Sequence, residues 1–106
     1  MEKEINKLVA NAITKLFQTR DKAVTKQDAQ LFRSTQLPEV EYGSVQGYLS
    51  IDDLRTEILF IFKDSSLTRV VLVKETYKPK GEAAYSTYVL YFVVNTEKSW
   101  FVYKIR

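Results

Sequence analysis

A chain of 106 residues and 12.4 kDa, 45% hydrophobic and 27% charged, has material for one hydrophobic core and not for two. It contains no cysteine and no histidine. Disulfide scaffolds, thiol nucleophiles, thiolate zinc sites and imidazole acid–base or metal chemistry are thereby excluded. The net charge of +3 is unevenly spread, with 7 − 8 = −1 over residues 1–53 and 9 − 5 = +4 over 54–106. The densest cations, Arg69, Lys74, Lys78 and Lys80, flank a turn, where lysines discourage edge-to-edge strand pairing. A nucleic-acid surface would gather them on one face, so nucleic acid is not the expected partner.

Ile5, Leu8, Val9, Ala12, Ile13, Leu16 and Phe17 fall at offsets 0, 3, 4, 7, 8, 11 and 12 and make one continuous helical stripe. Lys3, Asn6, Lys7, Asn11, Thr14, Lys15 and Gln18 occupy the wet side. The N-terminus alternates charge signs and lacks the basic start and apolar stretch of a signal peptide, which gives a cytoplasmic expectation. No apolar run approaches the roughly twenty residues of a membrane span. Thr25-Lys26-Gln27-Asp28 resembles a capping box and predicts a second helix to about Ser34, burying Ala29 and Phe32. Leu37-Pro38 ends it.

Residues 39–47 alternate weakly and read as a loop with a short strand. Ser50, followed by Asp52 and Asp53, reads as an N-cap with first-turn acids, and Ile51, Leu54, Ile58, Leu59 and Phe62 recur at helical offsets. A helix over 51–62 is expected, although Ile58-Leu59-Phe60-Ile61-Phe62 is equally a β-prone run. From Leu67 to Tyr77 the chain turns β-branched, Pro79-Lys80-Gly81-Glu82 supplies a turn, and strands over 83–95 and 99–105 complete an antiparallel meander.

Pairing Asn95 with Lys98 sets Phe92 opposite Phe101, Leu90 opposite Tyr103 and Tyr88 opposite Ile105, on the surface expected to meet the helix stripe. The reverse surface then carries Val89, Tyr91, Val93, Trp100 and Val102. A sheet apolar on both faces needs both covered, and three short helices cover one. A homodimer through Val89, Tyr91, Val93, Trp100 and Val102 is therefore predicted.

The element order resembles the nuclear transport factor 2-like superfamily, also described as cystatin-like α+β folds. The segments carrying the resemblance are a long first helix, a short second one around Lys22-Ala-Val-Thr-Lys-Gln-Asp28-Ala-Gln-Leu-Phe32, a third at Gly47-Tyr-Leu-Ser-Ile51-Asp-Asp-Leu54, and the meander. The resemblance spans nearly the whole chain and implies one domain over residues 1–106, of class α+β: N-terminal helices packed on a curved antiparallel sheet that forms a cone, with a pocket at its open end. It also implies dimerisation through the outer sheet face. Such folds host isomerases, dehydratases, epoxide hydrolases and transport factors, so the fold does not choose a function.

None of the catalytic patterns of those relatives carries over. The first helix has no tyrosine, histidine is absent, and residues 66–106 hold no aspartate. Glu75 beside Tyr77 or Tyr88 could act as a buried base, but a solvated glutamate next to Lys74 is the plainer account. Asp52 and Asp53, about 100° apart on a helix, do not converge on a metal. Tyr48, Tyr88 and Tyr103 are the candidate lining of a small-ligand cavity between the first helix and the sheet. The sequence thus predicts a non-catalytic homodimeric module that binds a small apolar ligand or a protein, with neither cofactor nor metal. A small lyase, isomerase or hydrolase using carboxylate and tyrosine chemistry is the alternative.

Overall fold

The opening stripe builds a helix longer than its apolar pattern. A computed structural model describes the backbone of residues 2–97 and 99–106 and their side chains except those of 2–5 and 41–44. In it α1 runs from Glu2 to Thr25. Ile13 and Phe17 are buried, and Arg20 and Val24 continue the same face one and two turns further on. A charged side chain at position 20 hides that continuation from a hydrophobic count. The helix ends where Gln27 takes φ 56°, and Asp28 rather than Thr25 caps α2 (Ala29–Arg33), its carboxylate accepting from Leu31 N at 3.0 Å.

A 3₁₀ turn at Pro38–Val40 leads into α3 (Glu41–Leu49), in place of the expected loop and strand. Ser50 closes that helix, its Oγ donating to Gly47 O at 2.7 Å, and does not open a new one. Residues 51–63 form strand β1 (Ile51–Lys63), which corrects the helix expected there. The cause is local. Bulges between Ile51 and Asp53 and between Ile58 and Phe60 each insert one residue. Inward-facing positions therefore fall at 51, 54, 56, 58 and 61, and the two three-residue steps imitate a helical period. Asp52 and Asp53 accordingly lie on a strand, and Asp53 Oδ1 accepts from Thr25 Oγ1 at 2.7 Å.

Strands β2 (Thr68–Pro79), β3 (Tyr85–Thr96) and β4 (Ser99–Ile105) follow, giving an antiparallel sheet of order β1-β2-β3-β4, curved and unclosed. Residues 35–37 run beside β4, with Val102 N donating to Thr35 O and Leu37 N to Val102 O, both at 2.9 Å, so this edge is partly paired. The fold is α+β with α1 packed on the sheet. No described helix is long and apolar enough to cross a membrane.

The β3–β4 register differs from expectation: Asn95 pairs with Trp100, and Lys98, its expected partner, lies outside the described residues. A shift of two residues preserves the strand period. Phe92, Phe101 and Tyr103 therefore still share one face, and Val89, Tyr91, Val93 and Val102 the other. What inverts is which face meets α1. Val89, Tyr91, Val93 and Val102 are buried with Ile13, Phe17, Val71 and Val73 in the subunit's own core, and Trp100 packs against them. The predicted dimer contacts are thus internal. On the concave side of a curved sheet the side chains converge, so a row made mostly of valines, with Tyr91 edge-on to Phe17, fits beneath the helix, whereas Phe92, Phe101 and Tyr103 together suit the diverging convex side.

Candidate functional site

Beyond the valine layer the inner face turns polar. β2 places Val71, Val73, Glu75 and Tyr77 in a row on one side, and the carboxylate of Glu75 is fully buried. A solvated strand-edge glutamate is thereby corrected. Tyr48 of α3 donates to Glu75 Oε1 at 2.8 Å, Tyr77 bonds the same oxygen, and Tyr91 of β3 bonds Oε2. Tyr48 Oη also lies 2.9 Å from Tyr91 Oη. Each phenol has a single hydrogen, so Tyr48 supplies either the carboxylate or its neighbour at any instant.

All three phenols are pushed well above their ordinary range, in each case chiefly by burial. The negative carboxylate adds to this at every one of them, while at Tyr91 the Arg20 guanidinium pulls the other way. They stay protonated and act as donors. A buried anion ringed by neutral donors is a stable arrangement only because each member satisfies another.

A buried cation from α1 borders the same tyrosines. Arg20, 1% exposed, donates from Nη1 to Thr35 Oγ1 at 2.8 Å and to Gln36 Oε1 at 3.0 Å. Its guanidinium carbon sits 4.4 Å from the Phe32 ring centroid, 5.3 Å from Tyr91 and 5.8 Å from Tyr48. Nη2 is buried without a hydrogen-bond partner. Next along the helix, Asp21 accepts from Thr56 N at 2.8 Å and Thr56 Oγ1 at 2.7 Å, clamping α1 to β1. Burial raises the Asp21 carboxyl to about 6, the Thr56 bonds oppose that, Glu75 adds repulsion and Arg20 relieves it.

Of the three tyrosines expected to line a ligand cavity, only Tyr48 reaches this cluster. Tyr88 is 66% exposed on the convex face, and Tyr103 packs there against Phe92 with ring centroids 6.1 Å apart. Tyr77 and Tyr91 take their places. Arg20 and Tyr91 were the residues sequence reasoning did not bring here. The available signal was positional: Arg20 stands three residues beyond Phe17 on the buried stripe, and Tyr91 alternates with Val89 and Val93. Among the described residues no group of three acidic side chains gathers into a metal site.

This chain has the nuclear transport factor 2-like fold. Its backbone superposes on a nuclear transport factor 2-like protein of unknown function from Shewanella oneidensis with a TM-score of 0.72, at 13% identity over 88% of this chain and 93% of that one. A scytalone dehydratase-like protein from Novosphingobium aromaticivorans gives 0.69 at 12% identity, covering 98% and 87%. A ketosteroid isomerase-like protein from Erwinia carotovora atroseptica gives 0.61 at 16%, covering 87% and 88%. At such identities the likeness is one of fold, and the nuclear transport factor 2-like fold serves many chemistries. No protein-family model and no curated protein matches the sequence.

Proposed function

We propose that this nuclear transport factor 2-like chain is a non-catalytic binding module acting as a homodimer joined through the convex faces of its two sheets. The observation that carries the non-catalytic part is the state of Glu75. Its carboxylate has no exposed surface and already takes three phenolic hydrogen bonds, of about four a carboxylate accepts. A general base must reach the proton that it removes. Here Tyr48, Tyr77 and Tyr91 stand in that position.

The dimer rests on the opposite surface. Phe60 and Phe62 of β1 align with Leu72 and Val70 of β2, and these with Leu90 and Phe92 of β3. Phe60, Phe62 and Tyr88 are 54%, 50% and 66% exposed. These three aromatics and their half-buried neighbours present about 500 Å² of apolar surface. That is at the upper end of the roughly 300–600 Å² of the largest patch on a typical monomer, and with a polar rim it approaches the roughly 800 Å² per partner of a stable interface. Light scattering at micromolar concentration should return twice 12.4 kDa; a single-chain mass removes the dimer.

The second reading, acid–base catalysis on a carbonyl substrate, is favoured by one feature: a desolvated carboxylate beside protonated phenols supplies a base and donors in one place. Proton exchange of α-acidic carbonyl compounds in deuterated buffer separates the two. The binding module leaves exchange at the rate without protein, whereas exchange abolished by Glu75→Gln establishes the enzyme.

A further inference from the structure

We infer that this chain has a second, separate site, a carboxylate-binding pocket at the N-terminal half of α1, which takes a small monocarboxylate with an apolar tail. A cavity of about 300 Å³ lies between α1 and the β1–β2 hairpin, lined by Asn6, Val9 and Ala10 on the helix and by Ile61, Lys63 and Arg69 on the strands. Two cations, an amide and three apolar side chains line it. No acid is among its described lining residues.

Among the described residues no anion offsets these charges. Lys63 and Arg69 are direct cross-strand partners in the β1–β2 register, a placement in which like charges repel. Arg69 is only 6% exposed, and among the described residues it has no carboxylate partner. Its Nη1 donates to Ser65 O at 2.7 Å and Thr68 O at 2.9 Å, and its guanidinium lies 5.3 Å from the Trp100 ring centroid. These contacts fix the group and engage one of its three nitrogens. Asp64, in the adjoining turn, accepts instead from Thr68 Oγ1 at 3.1 Å. A buried guanidinium held rigid by backbone, facing a cavity and opposed by a lysine, is a preorganised carboxylate receptor. Val9, Ala10 and Ile61 supply the apolar wall for a tail. The volume suits roughly ten non-hydrogen atoms at interior packing density. This pocket is distinct from the Glu75 cluster and independent of the dimer.

Octanoate is a fitting probe, with acetate (charge without tail) and octanamide (tail without charge) as controls. Titration of the full chain followed by amide chemical shifts should show saturable movement at Val9, Ala10, Ile61 and Arg69 with octanoate, at a Kd of about a millimolar or tighter. Both controls should bind at least tenfold more weakly. Arg69→Gln should weaken octanoate at least tenfold and Lys63→Gln about threefold. Ala10→Trp, which fills the cavity and keeps both cations, should abolish binding and covers the case of an Arg69 variant that does not fold. Absence of saturation by about 10 mM octanoate, a ceiling above the expected Kd, equal binding of octanamide, or binding unchanged by Lys63→Gln and Ala10→Trp overturns the site. The mass of the protein in solution is untouched by any of these results.

Discussion

Glu75 is held by phenols from three elements, so its removal reports on all of them. Replacing it with Gln converts one carboxylate oxygen into an amide that cannot accept, and leaves at least one of the donors Tyr48, Tyr77 or Tyr91 buried and unmatched. Glu75→Gln should therefore lower unfolding free energy by about 2–3 kcal/mol in urea titration, where Tyr91→Phe, which deletes one hydroxyl, should cost about 1 kcal/mol. Equal, negligible losses in both would mean that the cluster does not hold the fold.

Asp21 makes a residue-scale prediction in pH. Its carboxyl is raised from the ordinary 3.8 to about 6 in the folded state, so the native state binds the proton more tightly. The resulting stability is fully present below pH 3.8 and is lost as pH rises through about 6. The loss is at most about 3 kcal/mol, and less for a half-buried group that water can reach. Thr56, Glu75 and Arg20 are the groups that set this balance. Asp21→Asn keeps an acceptor for Thr56 N and removes the charge. It should flatten stability between pH 4 and 6 and match or exceed the natural chain at pH 8. An unchanged pH slope would assign that slope to other carboxylates.

At the scale of elements, α2 is five residues long and depends on its cap. Asp28→Ala should cost about 1 kcal/mol and loosen Phe32, read as faster amide exchange over 29–33 with α1 unaffected. How far elements were legible follows from what each pattern encodes. The helix of α1 and the strand over 99–105 were readable because their side chains carry the period of the element itself, although of the expected stripe only Ile13 and Phe17 are buried, Leu8 is 68% exposed and the Ile5 side chain lies outside the described residues. β1 was not, because two bulges replaced its period with three-residue steps, and α3 was not, because a weakly amphipathic nine-residue segment owes its helix to contacts with Phe32 and Leu54 rather than to its own spacing.

For the molecule as a whole, the prediction concerns the convex face. Phe62→Glu lies on an exposed site that contributes nothing to the inner core, so it should leave the circular dichroism spectrum intact. It should shift the dimer–monomer equilibrium at least tenfold toward monomer in sedimentation. Phe92→Glu, nearer the centre of the same face, should act more strongly. If neither changes the mass and the natural chain is dimeric, the copies meet elsewhere, and the unpaired edge of β1 becomes the surface to alter.

The amino-acid order alone determined the class of the fold and which strand side chains travel together, because these depend on periodicity and composition that every residue carries locally; that the buried residues divide into two clusters, one around Phe17 and one around Phe32, was not legible in it. It could also exclude thiol and imidazole chemistry outright. Which of two greasy sheet faces meets the helix was decided only by curvature, since the concave side admits valines and rejects a layer of phenylalanines. The same holds for the gathering of Arg20, Tyr48, Glu75 and Tyr91: they are distant in sequence, each is ordinary in its own neighbourhood, and only packing of α1 and α3 on the sheet buries Arg20, Glu75 and Tyr91 fully, half-buries Tyr48 and brings the four together.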